Sequence, residues 1–243
     1  MRYLMTFSYD GTNFYGYQKQ PDKRTIQEEI EKVLSKILND KIIINASGRT
    51  DTKVHALNQK AHFDVEKQID SRKLKHSLNK MLPDDIYIKD IILVDSSFHA
   101  RYDVKYKKYI YKLSTNEYNP IERNYIYQYN KQLDVEAMIK ATKYLIGEHN
   151  FKSFTKAIQV EKDYVRNIKD ITIENRNGII TFVFIGNGFM RYMVRNLVGT
   201  LLEVGEHTII PDKIKEILKS EDRTKAFKTI NPEGLYLSDV YYQ

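Results

Sequence analysis

The chain has 243 residues, 42% of them hydrophobic, and a formal net charge of +7 with no cysteine. That composition is enough to bury a core and argues against disorder; the absence of cysteine excludes a thiol nucleophile, a zinc–thiolate site and disulfides. The positive balance points to a polyanion, nucleic acid ahead of a membrane surface, with plain solvated lysine as the simpler account of the same charge. No apolar run reaches ~18 residues, so no membrane span is expected. The opening MRYLMTFSYD lacks a signal-peptide core, and a cytoplasmic location is the expectation.

Residues 2–9 are expected to form a strand that stops at Asp10-Gly11, followed by a loop rich in Tyr, Gln and Lys. A helix is predicted from about Thr25 to Leu38, with Ile26, Ile30, Val33, Leu34 and Ile37 on one face. Thr25 and Glu28 have the spacing of a capping box. Residues 42–46 begin with three β-branched isoleucines and form a second expected strand. Residues 58–65 form a third, with Ala61, Phe63 and Val65 alternating. A helix over 70–81 is stopped by Pro83, and residues 86–94 form a fourth strand. The order strand, helix, strand, strand, helix, strand is that of a split βαβ unit.

After a hinge-like stretch at 95–100, residues 105–114 are an expected strand with Lys107, Tyr109, Tyr111 and Leu113 on one side. Residues 115–130 are an expected loop, 134–146 a helix ended by Gly147, and 149–166 begin as a polar loop. Residues 168–174 and 179–185 are expected to form a hairpin around Asn177-Gly178. Helices over 188–203 and 211–220 and a strand over 235–241 complete the chain. The expected fold is α+β: two ferredoxin-like, split βαβ halves, residues 1–97 and 98–243. These would form a continuous, mostly antiparallel sheet with helices on one face and a central cleft as the natural binding site.

The stretch with the most chemistry is IIINASGRTDTKVHA, residues 42–56. A strand that ends in a Ser47-Gly48 turn and presents Arg49, Thr50 and Asp51 holds a loop still enough to carry out a reaction. The reactive candidates are the Asp51 carboxylate and the His55 imidazole. In an arbitrary loop, Asp51 would more often cap a turn or pair with Arg49. A metal set of Asp51, His55 and His62 or Asp64 is conceivable, but alternating strand positions split those ligands across two faces, and structural hydrogen bonding suits His55 better. Core packing beside Tyr111 and Leu113 is the simpler role for Tyr109. The Lys/Tyr-rich tract over 101–129 is either an RNA surface, lysines for phosphates and tyrosines for bases, or an edge strand with a solvated loop.

The wider pattern resembles a family. GRTDTKVHA at Gly48–Ala56 is similar to the Gly-Arg-Thr-Asp-Ala-Gly-Val-His-Ala signature of the TruA-type tRNA pseudouridine synthases. YDGTNFYGYQKQ at Tyr9–Gln20 resembles that family's opening strand and loop, and Thr25-Ile26-Gln27 its first helix start. Phe98-His99-Ala100-Arg101 with YKKYIY, GNGFMRYMVRNLVGTLLEVG at Gly186–Gly205, and the tail NPEGLYLSDVYY also match, in order and with compatible spacing.

The resemblance implies an isomerase that detaches uracil from C1′ of its ribose and rejoins it through C5, in the tRNA anticodon stem-loop at tRNA positions 38, 39 and 40. It implies Asp51 as the catalytic carboxylate, as nucleophile at the sugar or as base at the neighbouring carbon. It gives Arg195 as the cation beside that carboxylate, on a helix face shared with Arg191. It gives Tyr109 as the surface on which the target base stacks and Arg49 as a phosphate contact. tRNA and a homodimer are the implied partners, with no cofactor and no metal. A catalytically silent RNA-binding or chaperone protein of the same fold is the alternative, and intact Asp51, Tyr109 and Arg195 argue against it.

The sequence departs from the pattern at Thr52-Lys53, where Ala-Gly is usual, and at Tyr17, where tryptophan is usual. Glycine at position 53 suggests a positive φ or a close backbone approach. With lysine there, the turn is expected to have shifted to an ordinary conformation, leaving the side chain to reach an RNA phosphate.

Overall fold

The computed structural model describes residues 1–156 and 163–242. Its elements are β1 (Arg2–Tyr9), α1 (Ile26–Leu38), β2 (Asn45–Ala46), β3 (His55–Asp64), α2 (Ser71–Met81), β4 (Ile86–Val94), β5 (Tyr106–Ser114), β6 (Tyr127–Gln128), α3 (Val135–Thr142), β7 (Gly147–Asn150), β8 (Val165–Arg176), β9 (Ile179–Gly186), α4 (Met193–Gly205), α5 (Lys213–Ser220) and β10 (Leu235–Tyr241). The class is α+β with mostly antiparallel pairing. The residues group into two compact units, Met1–Lys105 with Tyr236–Gln243, and Tyr106–Leu235. The division therefore falls at Lys105/Tyr106 rather than after residue 97, and the last strand groups with the first unit.

In the first unit β1 is central. It pairs antiparallel with β3, Arg2 opposite Asp64 and Phe7 opposite Gln59, and with β4, Arg2 opposite Val94 and Tyr9 opposite Ile86. β2 lies on the far side of β3 at Ala61 and His62, so the order β4–β1–β3–β2 is that of a split βαβ unit. β10 joins β3 in parallel near the other end, Tyr236 opposite His55. Tyr3, Met5 and Phe7 alternate into the core, where Ile26, Ile30 and Leu34 of α1 are also buried.

Expectation and structure part at residues 42–46. Only Asn45 and Ala46 pair with another strand. The Ile42 amide donates to Ser35 Oγ at 2.9 Å and the Ile44 amide to Glu31 Oε1 at 3.1 Å, both on α1. Helix side chains thus satisfy a backbone that a ladder was expected to hold, and Ile42 and Ile44 are buried while Ile43 is exposed. Thr25 is the N-cap residue of α1, but its hydroxyl makes no capping bond, so the capping box does not form. Asp70 does cap α2, accepting from the amides of Arg72 and Lys73.

The second unit has the neighbour order β5–β9–β8–β7, all antiparallel, with Tyr109 opposite Phe184 and Ile171 opposite Phe184. The expected hairpin is present, and Asn177 and Gly178 both have positive φ, 53° and 79°. Tyr111, Leu113, Ile180, Phe182 and Phe184 are fully buried, and α4 is apolar nearly all round, with Leu197, Val198, Leu201 and Val204 at 0% exposure. α3 is shorter than the expected 134–146 because the chain tightens after Thr142: the Leu145 amide bonds to the Thr142 carbonyl. The expected polar loop after residue 149 starts as β7 and continues as a short 3-10 turn, Lys152–Phe154. The rest of that expectation, residues 157–162, lies outside the described residues.

Candidate active site

The turn after β2 is built from its neighbours' polar groups. The Ser47 amide donates to the Lys60 carbonyl at 2.8 Å and its hydroxyl to Gln59 Oε1 at 2.7 Å. Gln59 Nε2 donates back to the Gly48 carbonyl at 3.0 Å. Ser47 and Gln59 are fully buried, so Ser47 is an anchor of the loop. Thr50 turns inward, its hydroxyl 2.7 Å from the Tyr9 phenol, and burial pushes that phenol up to about 12. The Tyr17 amide donates to the Thr50 carbonyl at 3.1 Å. Arg49 is exposed and Asp51 half-buried.

Residues 51–54 close a tight turn in which the Val54 amide donates to the Asp51 carbonyl at 3.1 Å. The N-terminal loop lies flush on it. A Cβ on Gly11 would stand 2.1 Å from the Val54 carbonyl oxygen, and one on Gly16 3.0 Å from the Thr50 carbonyl oxygen. Gly16 also has φ 96°, so a clash at the first position and backbone conformation at the second favour glycine. Lys53 donates its amide to the Phe14 carbonyl at 3.3 Å and has φ 63°. The expected shift to an ordinary conformation is therefore overturned. The turn keeps its left-handed geometry because residues 51–54 and the Phe14 carbonyl hold it from both sides, and lysine bears the cost, about 1–2 kcal/mol.

His55 opens β3 and is buried. Its Nδ1 lies 3.1 Å from both the Gly11 amide nitrogen and Asp10 Oδ1. The same nitrogen accepts from the amide when bare and donates to the carboxylate when protonated, so it serves one at a time. The ring stacks on Tyr236 at 4.8 Å between centroids. His55 is a joint between strand and loop. The other members of the conceivable metal set are engaged elsewhere: His62 Nδ1 accepts from the Ala100 amide, and Asp64 takes the Arg2 guanidinium through both oxygens.

In the second unit Tyr109 lies on β5, 8% exposed, with its ring edge-to-face on Phe189 at 5.1 Å. Arg195 is half-buried on the first turn of α4. Its Nε–H donates to the Ile230 carbonyl at 2.6 Å, and its guanidinium carbon stands 5.1 Å from the Tyr192 ring centre. Arg191 precedes the helix instead of sharing its face. α4 begins at Met193, after Tyr192 in the left-handed region at φ 62°. Arg191 nonetheless sits over the same Tyr192 ring, at 4.9 Å. Residues 188–192 thus supply the partner rings of both Tyr109 and Arg195.

Of the Lys/Tyr tract, Tyr102, Tyr118 and Tyr125 are exposed, Tyr109 and Tyr111 are buried, and Tyr127 and Tyr129 are half-buried and in ring contact. Sequence reasoning missed Asn196, Arg223 and Thr229, which form one hydrogen-bonded cluster beside α4. A polar Asn followed by Gly199 inside so apolar a helix was the available signal. Among the described residues, no helix is long and apolar enough to cross a membrane.

The family described as tRNA pseudouridine synthase matches residues 5–103 and 141–243. A tRNA pseudouridine synthase A of Geobacillus sp. (strain WCH70) is 46% identical over 243 residues, covering 99% of this chain and 98% of the relative. Those of Caldicellulosiruptor bescii and Limosilactobacillus reuteri are each 44% identical, the first covering 98% of both chains and the second 99% of this chain and 96% of the relative. A crystal structure of a Cbf5-Nop10-Gar1 complex aligns with TM-score 0.35 and 15% identity over 82% of this chain and 54% of that one. The match to the family spans both units and includes the Asp51 loop, and the chain belongs to the tRNA pseudouridine synthase family.

Proposed function

We propose that this protein isomerises uridine to pseudouridine in the anticodon stem-loop of tRNA, at positions 38, 39 and 40. The observation that carries the reading is the Asp51 loop: a half-buried carboxylate on a turn fixed by Tyr17, Thr50, Phe14 and Val54, in a chain whose full-length relatives bear that enzyme's name. Asp51 acts on the sugar, as nucleophile at C1′ or as base at the neighbouring carbon. The C1′–N1 bond breaks, uracil turns, C5 bonds to C1′, and the C5 proton leaves to solvent. Arg195 supplies the cation that the reaction uses, and Tyr109 gives the displaced base a flat partner, a contact worth about 1–3 kcal/mol. Arg49, exposed beside Asp51, takes a phosphate. The enzyme works as a cytoplasmic homodimer on tRNA, its charge of +7 assisting association.

The test is tritium release from tRNA carrying 5-tritiated uridine, with mass-shift labelling to locate the product. Release at anticodon stem-loop uridines is expected. Tight tRNA binding without release would favour a silent RNA-binding protein.

A further inference from the structure

The Arg195 guanidinium is held by a carbonyl in a segment without regular structure, residues 226–230. Arg223 holds that segment at three points. Arg223 Nη1 donates to the Ala226 carbonyl at 3.0 Å. Its Nη2 is shared at 3.1 Å among the Phe227 carbonyl, Thr229 Oγ1 and Asn196 Oδ1. Thr229 Oγ1 donates in turn to Asn196 Oδ1 at 2.6 Å, and Asn196, fully buried on α4 beside Arg195, donates to the Phe154 carbonyl at 2.6 Å. Three residues further along the helix, a Cβ on Gly199 would stand 2.1 Å from the Lys228 carbonyl oxygen. The segment therefore lies directly on α4, at the turn that carries Arg195.

We propose that Arg223 is a positioning residue for Arg195, acting through residues 226–230; this rests on the role given to Arg195 above. Arg223 has no carboxylate against it among the described residues, and its Nε is buried without a partner. A half-buried cation with a buried Nε, held only by neutral acceptors, is a costly device for stability alone. Its planar fork nevertheless grips two carbonyls, a hydroxyl and an amide oxygen at once, which lysine's single ammonium does not. Arg195 is a long side chain whose tip is located by the Ile230 carbonyl and the Tyr192 face. Slippage of the segment moves the first of those supports.

The experiment compares Arg223→Lys and Thr229→Val, each in the wild-type and Arg195→Lys backgrounds. It measures kcat and KM for tRNA, tRNA affinity and thermal unfolding. Lysine at position 195 lacks the Nε–H that meets Ile230. In the wild-type background each change is expected to lower kcat about tenfold while KM and affinity stay within about twofold, as misplacement of a catalytic group does. In the Arg195→Lys background the further loss is expected to be no more than about twofold, because the group being positioned is gone. Equal losses in both backgrounds, or losses that track unfolding, would make the cluster merely structural and overturn the proposal. Wild-type kcat in Arg223→Lys and Thr229→Val, with Arg195→Lys impaired, sinks the positioning role alone. An unimpaired Arg195→Lys removes the role of Arg195 and the positioning role with it.

Discussion

Tyr17 supports the Asp51 loop with its backbone and packs its ring on Phe7, but its hydroxyl makes no hydrogen bond. Its amide bonds to Thr50 and its carbonyl accepts from Gln27, whereas its hydroxyl is buried without a partner and burial raises its pKa well above the usual tyrosine range. An unsatisfied buried hydroxyl costs about 1–3 kcal/mol. Tyr17→Phe is therefore expected to stabilise the protein by about 1 kcal/mol in denaturant unfolding and to leave turnover intact. A loss of stability would mean that the hydroxyl is satisfied. Lys53 carries a different cost. At φ 63° glycine is the easier residue, so Lys53→Gly is expected to raise stability by roughly 1 kcal/mol. The exposed lysine is also a candidate phosphate contact, so Lys53→Glu should weaken tRNA binding several-fold and lower the salt slope by about one charge. Identical binding by all three proteins across a salt series would leave Lys53 facing solvent. The residue types of the Asp51 loop were legible in the sequence; its left-handed lysine was not. Residue identity argues against that conformation, and only the surrounding hydrogen bonds impose it.

At the scale of elements, legibility followed the source of the backbone's partners. β1, β4 and β10 have the bounds read from the sequence, because alternation or a turn signal ends each of them in its own residues. Residues 42–44 do not join a ladder, although three isoleucines favour one, because Ser35 and Glu31 on α1 take their amides. The start of α4 was misplaced by five residues for a related reason. The helical pattern runs back through residues 188–192, but Tyr192 turns left-handed, and the segment serves Tyr109 and Arg195 as loop. Such strain next to a candidate site is a usual place to find it. The packing of residues 226–230 on α4 yields a direct check. Gly199→Ala must displace the Lys228 carbonyl, a backbone atom, and is expected to destabilise by about 2 kcal/mol. Unchanged unfolding would show that the segment moves away freely.

For the whole molecule, the α+β class and the split βαβ order of the first unit follow from the sequence of elements, while the grouping of the last strand with the first unit depends on pairing far apart in the chain and had no local signal. The net charge of +7 sets the expected behaviour in solution. tRNA affinity should fall steeply with salt as counterions are released, and light scattering should report a dimer at working concentration. A flat salt response would remove the electrostatic account, and a monomer would remove the dimer. The central claim is that Asp51 performs the chemistry and other residues supply most of the affinity. The most direct measurement is pseudouridine formation and tRNA binding by Asp51→Asn, an isosteric change that removes only the reacting carboxylate. The account predicts no detectable isomerisation with tRNA affinity near that of the wild type, since phosphate contacts dominate binding. Turnover within about tenfold of wild type would contradict it, because loss of the reacting group costs many kcal/mol in the transition state.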